Sequence, residues 1–291
     1  MREETTNRLA EAIKEEFKGE CKVHLKDVVK NNGVVLKSVT IMEPGVTVMP
    51  TVYIDEMLSR IESGDISVED AARQIVSIHT ENKGNFDDVV NRISRESILD
   101  RVTYQLINAE KNKDRLANLP HRTFCDLAVV YRVIVSEGSE ETASFMVRKD
   151  MAENYGLTED ELDVAARKNT KKQKFTALTM AEVLAEMTGG TEEDMKLPFQ
   201  MWILSNKNRL NGTTVMLYPE NFKKLADRIE SNLYVLPSSI HEVIAIPAGG
   251  EDTDMLKEMV RTVNSSEVSA EEVLSENVYR YSRNDNKFMI V

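Results

Sequence analysis

The sequence predicts an α+β fold: mostly antiparallel sheets built from hairpins, with helices packed on them, arranged as two lobes. Three observations predict it. Residues Phe199 to Pro247 hold four short apolar runs and a proline-started helix, each bounded by turn residues. Two β-branched runs flank Asn31-Asn32-Gly33, a turn sequence that accepts positive φ. Strands and helices are interspersed without a steady βαβ rhythm, which separates this class from doubly wound α/β folds.

The elements follow in order. Leu9, Ala12, Ile13 and Phe17 recur at helical spacing and Gly19 supplies a stop, so residues 3–18 form an amphipathic helix. Lys22 to Met42 is a hairpin. Val46 to Tyr53 is a further strand that Pro50 confines to an edge or a bulge. Met57, Leu58 and Ile61 mark a short helix ending at Gly64. Ser67 caps the next, with Ala71, Ala72, Ile75, Val76 and Ile78 on its buried side. Thr80 to Asn85 reads as a loop, Phe86 to Leu99 as a helix, Val102 to Ile107 as a strand and Ala109 to Ala117 as a charged helix. Phe124 to Val135 is the clearest long strand, alternating with period two, and Thr142 to Val147 pairs back on it. Thr158-x-x-Glu161 is a capping box opening a helix to about Lys168. Met180 to Met187 is helical and stops at Gly189-Gly190.

The four runs of the last third are Met201 to Leu204, Thr213 to Tyr218, Leu233 to Leu236 and Val243 to Ile246, with Pro219 starting a helix between them. Thr253 to Val263 is helical, Ser269-x-x-Glu272 caps one or two further turns, and Val278 to Val291 is a terminal hairpin turned at Asn284-Asp285. The lobes are expected at 1–117 and 118–291, the second built around residues 199–247.

Composition narrows the function classes. Apolar residues make up 41 % and charged residues 30 % of the 291, the profile of a globular protein with a sizeable core. The net charge of −12 argues against nonspecific nucleic-acid binding, which needs a basic surface. Cys21 and Cys125 are too few and too far apart for a disulfide framework. The first residues carry no apolar signal region, and no apolar run approaches the ~20 residues needed to span a bilayer. A cytoplasmic location without membrane attachment is the expectation.

Four segments carry a resemblance. Met49-Pro50-Thr51-Val52-Tyr53-Ile54, Leu119-Pro120-His121-Arg122 with Asp126-Leu127-Ala128, Leu204-Ser205-Asn206, and Pro237-Ser238-Ser239-Ile240-His241-Glu242-Val243 resemble an uncharacterised bacterial family. That family is a domain of unknown function common in gut anaerobes and their mobile elements. The resemblance covers nearly the whole chain, and the Ser-Ser-Ile-His-Glu stretch is its most distinctive part. Residues 124–170, a hairpin and two helices ending in Ala166-x-x-Asn169, are more weakly similar to another uncharacterised bacterial cytoplasmic family. Neither resemblance implies an activity.

Reactive residue types cluster once, at Ser238, Ser239, His241 and Glu242. Read as chemistry, they supply a hydroxyl nucleophile, an imidazole base and an orienting carboxylate for hydrolysis. Read as structure, Pro237 fixes φ, the serines bond locally, and the next strand begins at His241. No G-x-S-x-G elbow surrounds either serine, which favours the structural reading. The four histidines are scattered without metal-ligand spacing, and glycine-rich phosphate loops are absent, so no metal and no cofactor is expected.

Loop 206–212, beginning at Asn206, is either ligand-facing or a plain hairpin connection. The basic run Arg167 to Lys174 reads as a solvated helix end before it reads as a partner surface. Met255 and Met259 suggest adaptable packing. Asp126 and Arg132, six apart, would share one strand face as an ion pair or a pocket floor. The sequence therefore favours a non-enzymatic binding or regulatory module. It would act through loops 206–212 and 237–242, with Asn206, Ser238, Ser239, His241 and Glu242 as binding residues and an unknown protein or small molecule as partner. A hydrolase using residues 238–242 is the alternative.

Overall fold

The computed structural model describes residues 2–43, 51–82, 93–137, 142–191, 193, 200–237, 239–250 and 252–291. They form an α+β protein with three antiparallel sheets in two compact units, Met1–Ile93 and Ser94–Val291.

In the first unit, α1 (Arg2–Glu16) leads into a hairpin of β1 (Lys22–Val29) and β2 (Val35–Met42). The register runs from Lys22↔Met42 to Val29↔Val35, and the turn uses left-handed backbone at Asn32 (φ 59°) and Gly33 (φ 72°). β3 (Thr51–Tyr53) pairs with β2 as the edge strand, the place expected for it; the earlier part of that expected strand, with Pro50, lies outside the described residues. α2 (Asp55–Ser63) ends at Gly64, whose φ of 83° provides a left-handed stop. α3 (Val68–Asn82) follows, and the Ser67 hydroxyl accepts from the Asp70 amide at its start. Leu9, Ile13, Val39, Ile41, Leu58, Ala71, Ala72 and Ile75 form the core.

Ile78 does not join them. It is 39 % exposed, and the inward place one residue on belongs to His79, which is 1 % exposed. Positions 71, 75 and 79 repeat every four residues on one helix face, and 78 falls beside that stripe. His79 Nε2 meets the Glu43 carboxylate at 2.8 Å. Thr80 to Asn82 continue α3, and residues 83–92, with the first half of the expected helix from Phe86, lie outside the described residues.

The second unit starts at α4 (Arg95–Arg101), opened by a capping box between Ser94 and Ser97. β4 (Val102–Asn108) pairs along its length with β6 (Leu127–Glu137), from Val102↔Val133 to Asn108↔Leu127. That pairing draws residues 94–117 into this second compact unit, which begins at Ser94. Only Lys113–Leu116 (α5) of the expected helix at 109–117 is helical. β5 (His121–Phe124) and β7 (Thr142–Met146) share the other edge of β6.

The expected strand 124–135 is broken at its start. Phe124 pairs with Leu127, so Cys125-Asp126 form a two-residue hairpin loop, with Cys125 at φ 53°. Asp126 and Arg132 accordingly do not share a strand face. Arg132 instead donates to Ser144 Oγ at 2.7 Å and Gln105 Oε1 at 3.2 Å.

α6 (Lys149–Asn154) and α7 (Glu159–Thr170) follow, the latter opened by the expected Thr158/Glu161 capping box. The remaining strands make a six-stranded sheet: β8 (Phe175–Thr179), β9 (Trp202–Asn206), β10 (Leu233–Leu236), β11 (Val243–Pro247), β12 (Tyr279–Ser282) and β13 (Lys287–Ile290). Its order is β13-β12-β10-β11-β9-β8, antiparallel at every pair. α8 (Met180–Thr188) follows β8, and α9 (Pro219–Arg228) begins with proline at its first position, where no amide proton is needed.

Helices cover both faces. Phe222 of α9 stacks on Tyr281, ring centroids 5.6 Å apart. Leu256 and Val260 of α10 (Thr253–Ser266) pack with Leu236 and Ile246 on the opposite face. Met255 points away and is 58 % exposed.

Two expectations in this region change. Thr213 to Tyr218 is no strand: Gly212–Leu217 is a 3-10 helix with residues 212–216 buried. A short apolar run buried all round has no period to betray its type. Ser269 to Glu272 makes a single turn, closed by Glu272 N–H to Ser269 O, and goes no further.

Candidate functional site

The end of β9, the loop after it and the segment before β11 meet in one hydrogen-bonded corner. Asn206 begins it and is 2 % exposed. Its Nδ2 donates to Leu210 O at 2.7 Å and its Oδ1 accepts from Leu210 N at 3.2 Å. The amide side chain thus replaces a backbone partner and closes loop 206–212. Arg209 and Asn211 complete the reversal with φ of 51° and 52°.

Segment 239–242 is stapled to that loop. Ile240 O accepts from Thr213 Oγ1 at 2.8 Å, and His241 O accepts from Ser205 Oγ at 2.7 Å. Ser239 makes an isolated bridge with Val273, and Ile240 N donates to Glu272 O at 2.9 Å. The Ser239 hydroxyl accepts from the His241 backbone N–H at 3.0 Å, so it satisfies its own turn. Ser238 lies outside the described residues.

The His241 ring is engaged at both nitrogens. Nδ1 accepts from the Asn211 N–H at 3.2 Å, which requires a lone pair there and puts the neutral ring's proton on Nε2. Nε2 lies 3.2 Å from Glu272 Oε1 and donates to it. Glu272, not the adjacent Glu242, is the carboxylate that orients the imidazole. Glu242 sits next to it, half-buried, just before β11. The structure therefore brings together Asn206, Ser239 and His241 and adds Glu272, and among the described residues neither imidazole nitrogen meets a serine hydroxyl. The only hint of Glu272 in the sequence was its place in a capping pattern, which assigned its carboxylate to a helix end.

Two further polar clusters were not anticipated. Asp163 of α7 accepts from Tyr104 OH at 2.7 Å and Tyr131 OH at 3.4 Å, with Arg122 Nε 2.6 Å from the same oxygen. Asp126, in its hairpin loop, accepts from Ser275 Oγ (2.7 Å), Asn277 Nδ2 (2.9 Å) and Tyr279 OH. Among the described residues no three His, Cys, Asp or Glu side chains are placed to hold a metal ion, and no helix is long and apolar enough to cross a membrane.

Burial of the phenols has a pH consequence. Desolvation, aided by nearby carboxylates, pushes Tyr131, Tyr218 and Tyr281 up to about 12, and raises Tyr104 and Tyr279 as well. A phenol whose folded-state pKa lies above its unfolded value near 10 favours the folded state while protonated. That contribution is complete below pH 10 and is lost as pH climbs to about 12. Urea midpoints measured from about pH 9 to about pH 12 should fall steeply, and Tyr131→Phe should flatten the fall. A midpoint that holds steady across that window contradicts this account.

No curated protein and no solved structure matches the chain. A family model described as a family of unknown function, DUF5688, matches residues 2–283, nearly the whole chain, and the chain belongs to that family.

Proposed function

We propose that the chain is a non-enzymatic binding or regulatory module whose recognition surface is the corner made by loops 206–212 and 237–242. The carrying observation is the use of its reactive groups. The Ser239 hydroxyl serves its own turn, and both nitrogens of His241 are held, one by the Asn211 amide and one by Glu272. A hydrolase needs a serine oxygen against one of those nitrogens. Here the imidazole is a strut that fixes one loop against the other, and rigid loops on a sheet scaffold suit recognition at low ordering cost. Two free cysteines, one of them exposed, support a reducing cytoplasm as the setting.

The test uses wild type and His241→Ala side by side. Ester and phosphoester reporters should show the same background rate with both proteins. A ligand that wild type retains from cell extract should be lost by the variant, whose loop has lost two hydrogen bonds worth about 1–2 kcal/mol in total. Turnover by wild type that His241→Ala and Ser239→Ala each abolish would sink the proposal.

A further inference from the structure

On the flank of loop 206–212 lies a cleft of about 580 Å³, within the range of about 300–1,000 Å³ usual for small-molecule sites. Its wall is made by the α4–β4 junction, the end of β6, the end of α7 with the turn after it, and Lys207-Asn208. Four cations line it, Arg101, Lys172, Lys174 and Lys207, against one carboxylate, Asp100. In a chain with 49 acidic and 37 basic residues, a local surplus of three positive charges runs against the composition.

The cations also lack counter-ions among the described residues. Among the described residues, Arg101 donates to Val135 O at 3.2 Å, Lys172 to Asn169 Oδ1 at 3.0 Å, and none of the four makes an ion pair. Their neighbours outside the cleft do: Lys171 pairs with Glu220, and Arg209 with Glu186. The anchoring of Lys172 is built in. Asn169 is 8 % exposed, and its Nδ2 donates to Leu99 O and Val102 O, which leaves Oδ1 fixed toward the lysine. A neutral anchor holds the ammonium in place without cancelling its charge, and two of its N–H donors stay available. Lys174 adds a second sign of construction. Its backbone is left-handed at φ 53°, a conformation that costs a non-glycine residue about 1 kcal/mol or more.

We infer that this cleft binds a polyphosphate chain, the shared chemistry of inorganic polyphosphates and of nucleoside di- and triphosphates. Three ammonium groups and a guanidinium lining one small cleft, without an ion pair among the described residues, match closely spaced phosphates better than a single carboxylate. A nucleic-acid strand fits less well. Among the described residues no aromatic ring lines the cleft to stack a base, and the molecule as a whole repels an extended phosphate backbone. The inference rests on the reading of loop 206–212 as a recognition element, since Lys207 belongs to that loop.

Calorimetric titration of the full chain with sodium tripolyphosphate, without divalent cations, tests it. Saturable binding is expected, weakening several-fold between about 50 and about 200 mM salt. Lys172→Gln combined with Lys207→Gln should weaken it at least about tenfold, with an unchanged melting temperature, whereas Lys171→Gln should bind as wild type does. ATP binding no tighter than tripolyphosphate marks the bare chain as the ligand; tighter ATP binding marks a nucleoside polyphosphate as its source. Absence of tripolyphosphate binding, equal binding by the double variant, or binding of a single-stranded oligonucleotide alone would each overturn the assignment. Such a failure leaves the corner proposal standing, because His241→Ala leaves the cleft cations in place and is judged by turnover and by retained ligand.

Discussion

Replacing Gly212 with alanine is expected to destabilise the second unit by about 3 kcal/mol or more. A Cβ at this position would stand 2.0 Å from Ser205 Oγ, 2.4 Å from His241 O and 2.8 Å from Asn206 N. None of these approaches is tolerable, and two involve backbone atoms that cannot rotate away. The requirement is for space: φ at Gly212 is not in the left-handed region, so backbone freedom is not what selects glycine here. The same close approach makes the Ser205 Oγ to His241 O bond, which ties β9 to the segment before β11. Overpacking should therefore push the two loops apart and release the His241 strut with them.

Urea unfolding of Gly212→Ala measures the loss. The added change Ser205→Ala sharpens the test. It removes the nearest clash but leaves the carbonyl at 2.4 Å, so rescue should be partial. A cost below about 0.5 kcal/mol, the range of neutral surface changes, would show that the loops are not packed as described.

Much of this architecture was legible from local chemistry. The Asn31-Asn32-Gly33 turn, the Thr158/Glu161 capping box, the proline-started α9 and the left-handed stop at Gly64 each depend on a few neighbouring residues, and the structure contains each of them. The misreadings share a cause. Residues 212–216 are buried on all sides, so no polar face records their period. Cys125-Asp126 continue the alternation of the strand that follows, yet they form its hairpin loop. The corner itself was visible only as a cluster of reactive residue types. What turned that cluster into a strut was Glu272, thirty-one residues from His241, and the amide of Asn211, thirty away in the other direction. Partners at that distance leave no trace in spacing. The basic cleft is similar: the run ending at Lys174 was evident, but not that Arg101 and Lys207 would join two of its lysines.

Asp126→Ala should cost about 3 kcal/mol, because it leaves two buried hydroxyls and a side-chain amide without their acceptor. Its carboxylate accepts from three donors of β12 and the segment just before it: Ser275 Oγ, Asn277 Nδ2 and Tyr279 OH. Ser275 is 1 % and Tyr279 0 % exposed, so water has little access to either hydroxyl once its acceptor is gone. Removing a donor instead is milder, because the carboxylate keeps two partners and is itself only half-buried. Tyr279→Phe is accordingly expected to cost about 1–2 kcal/mol. In the double variant the phenol no longer needs an acceptor, so the two losses should add to less than their sum, by about 1 kcal/mol or more in a double-mutant cycle. The hairpin loop at 125–126 also sends its Asp126 carbonyl to the Ala109 amide, and Asn108 Nδ2 reaches Leu274 O, so the carboxylate clamps the four-stranded sheet to the terminal hairpin of the six-stranded one. Hydrogen exchange of the β12 amides should therefore accelerate in Asp126→Ala, while the three-stranded sheet of the first unit exchanges as before. Equal acceleration in both units would mean that Asp126 supports the whole molecule, and strict additivity with Tyr279→Phe would mean that it does not act through that phenol.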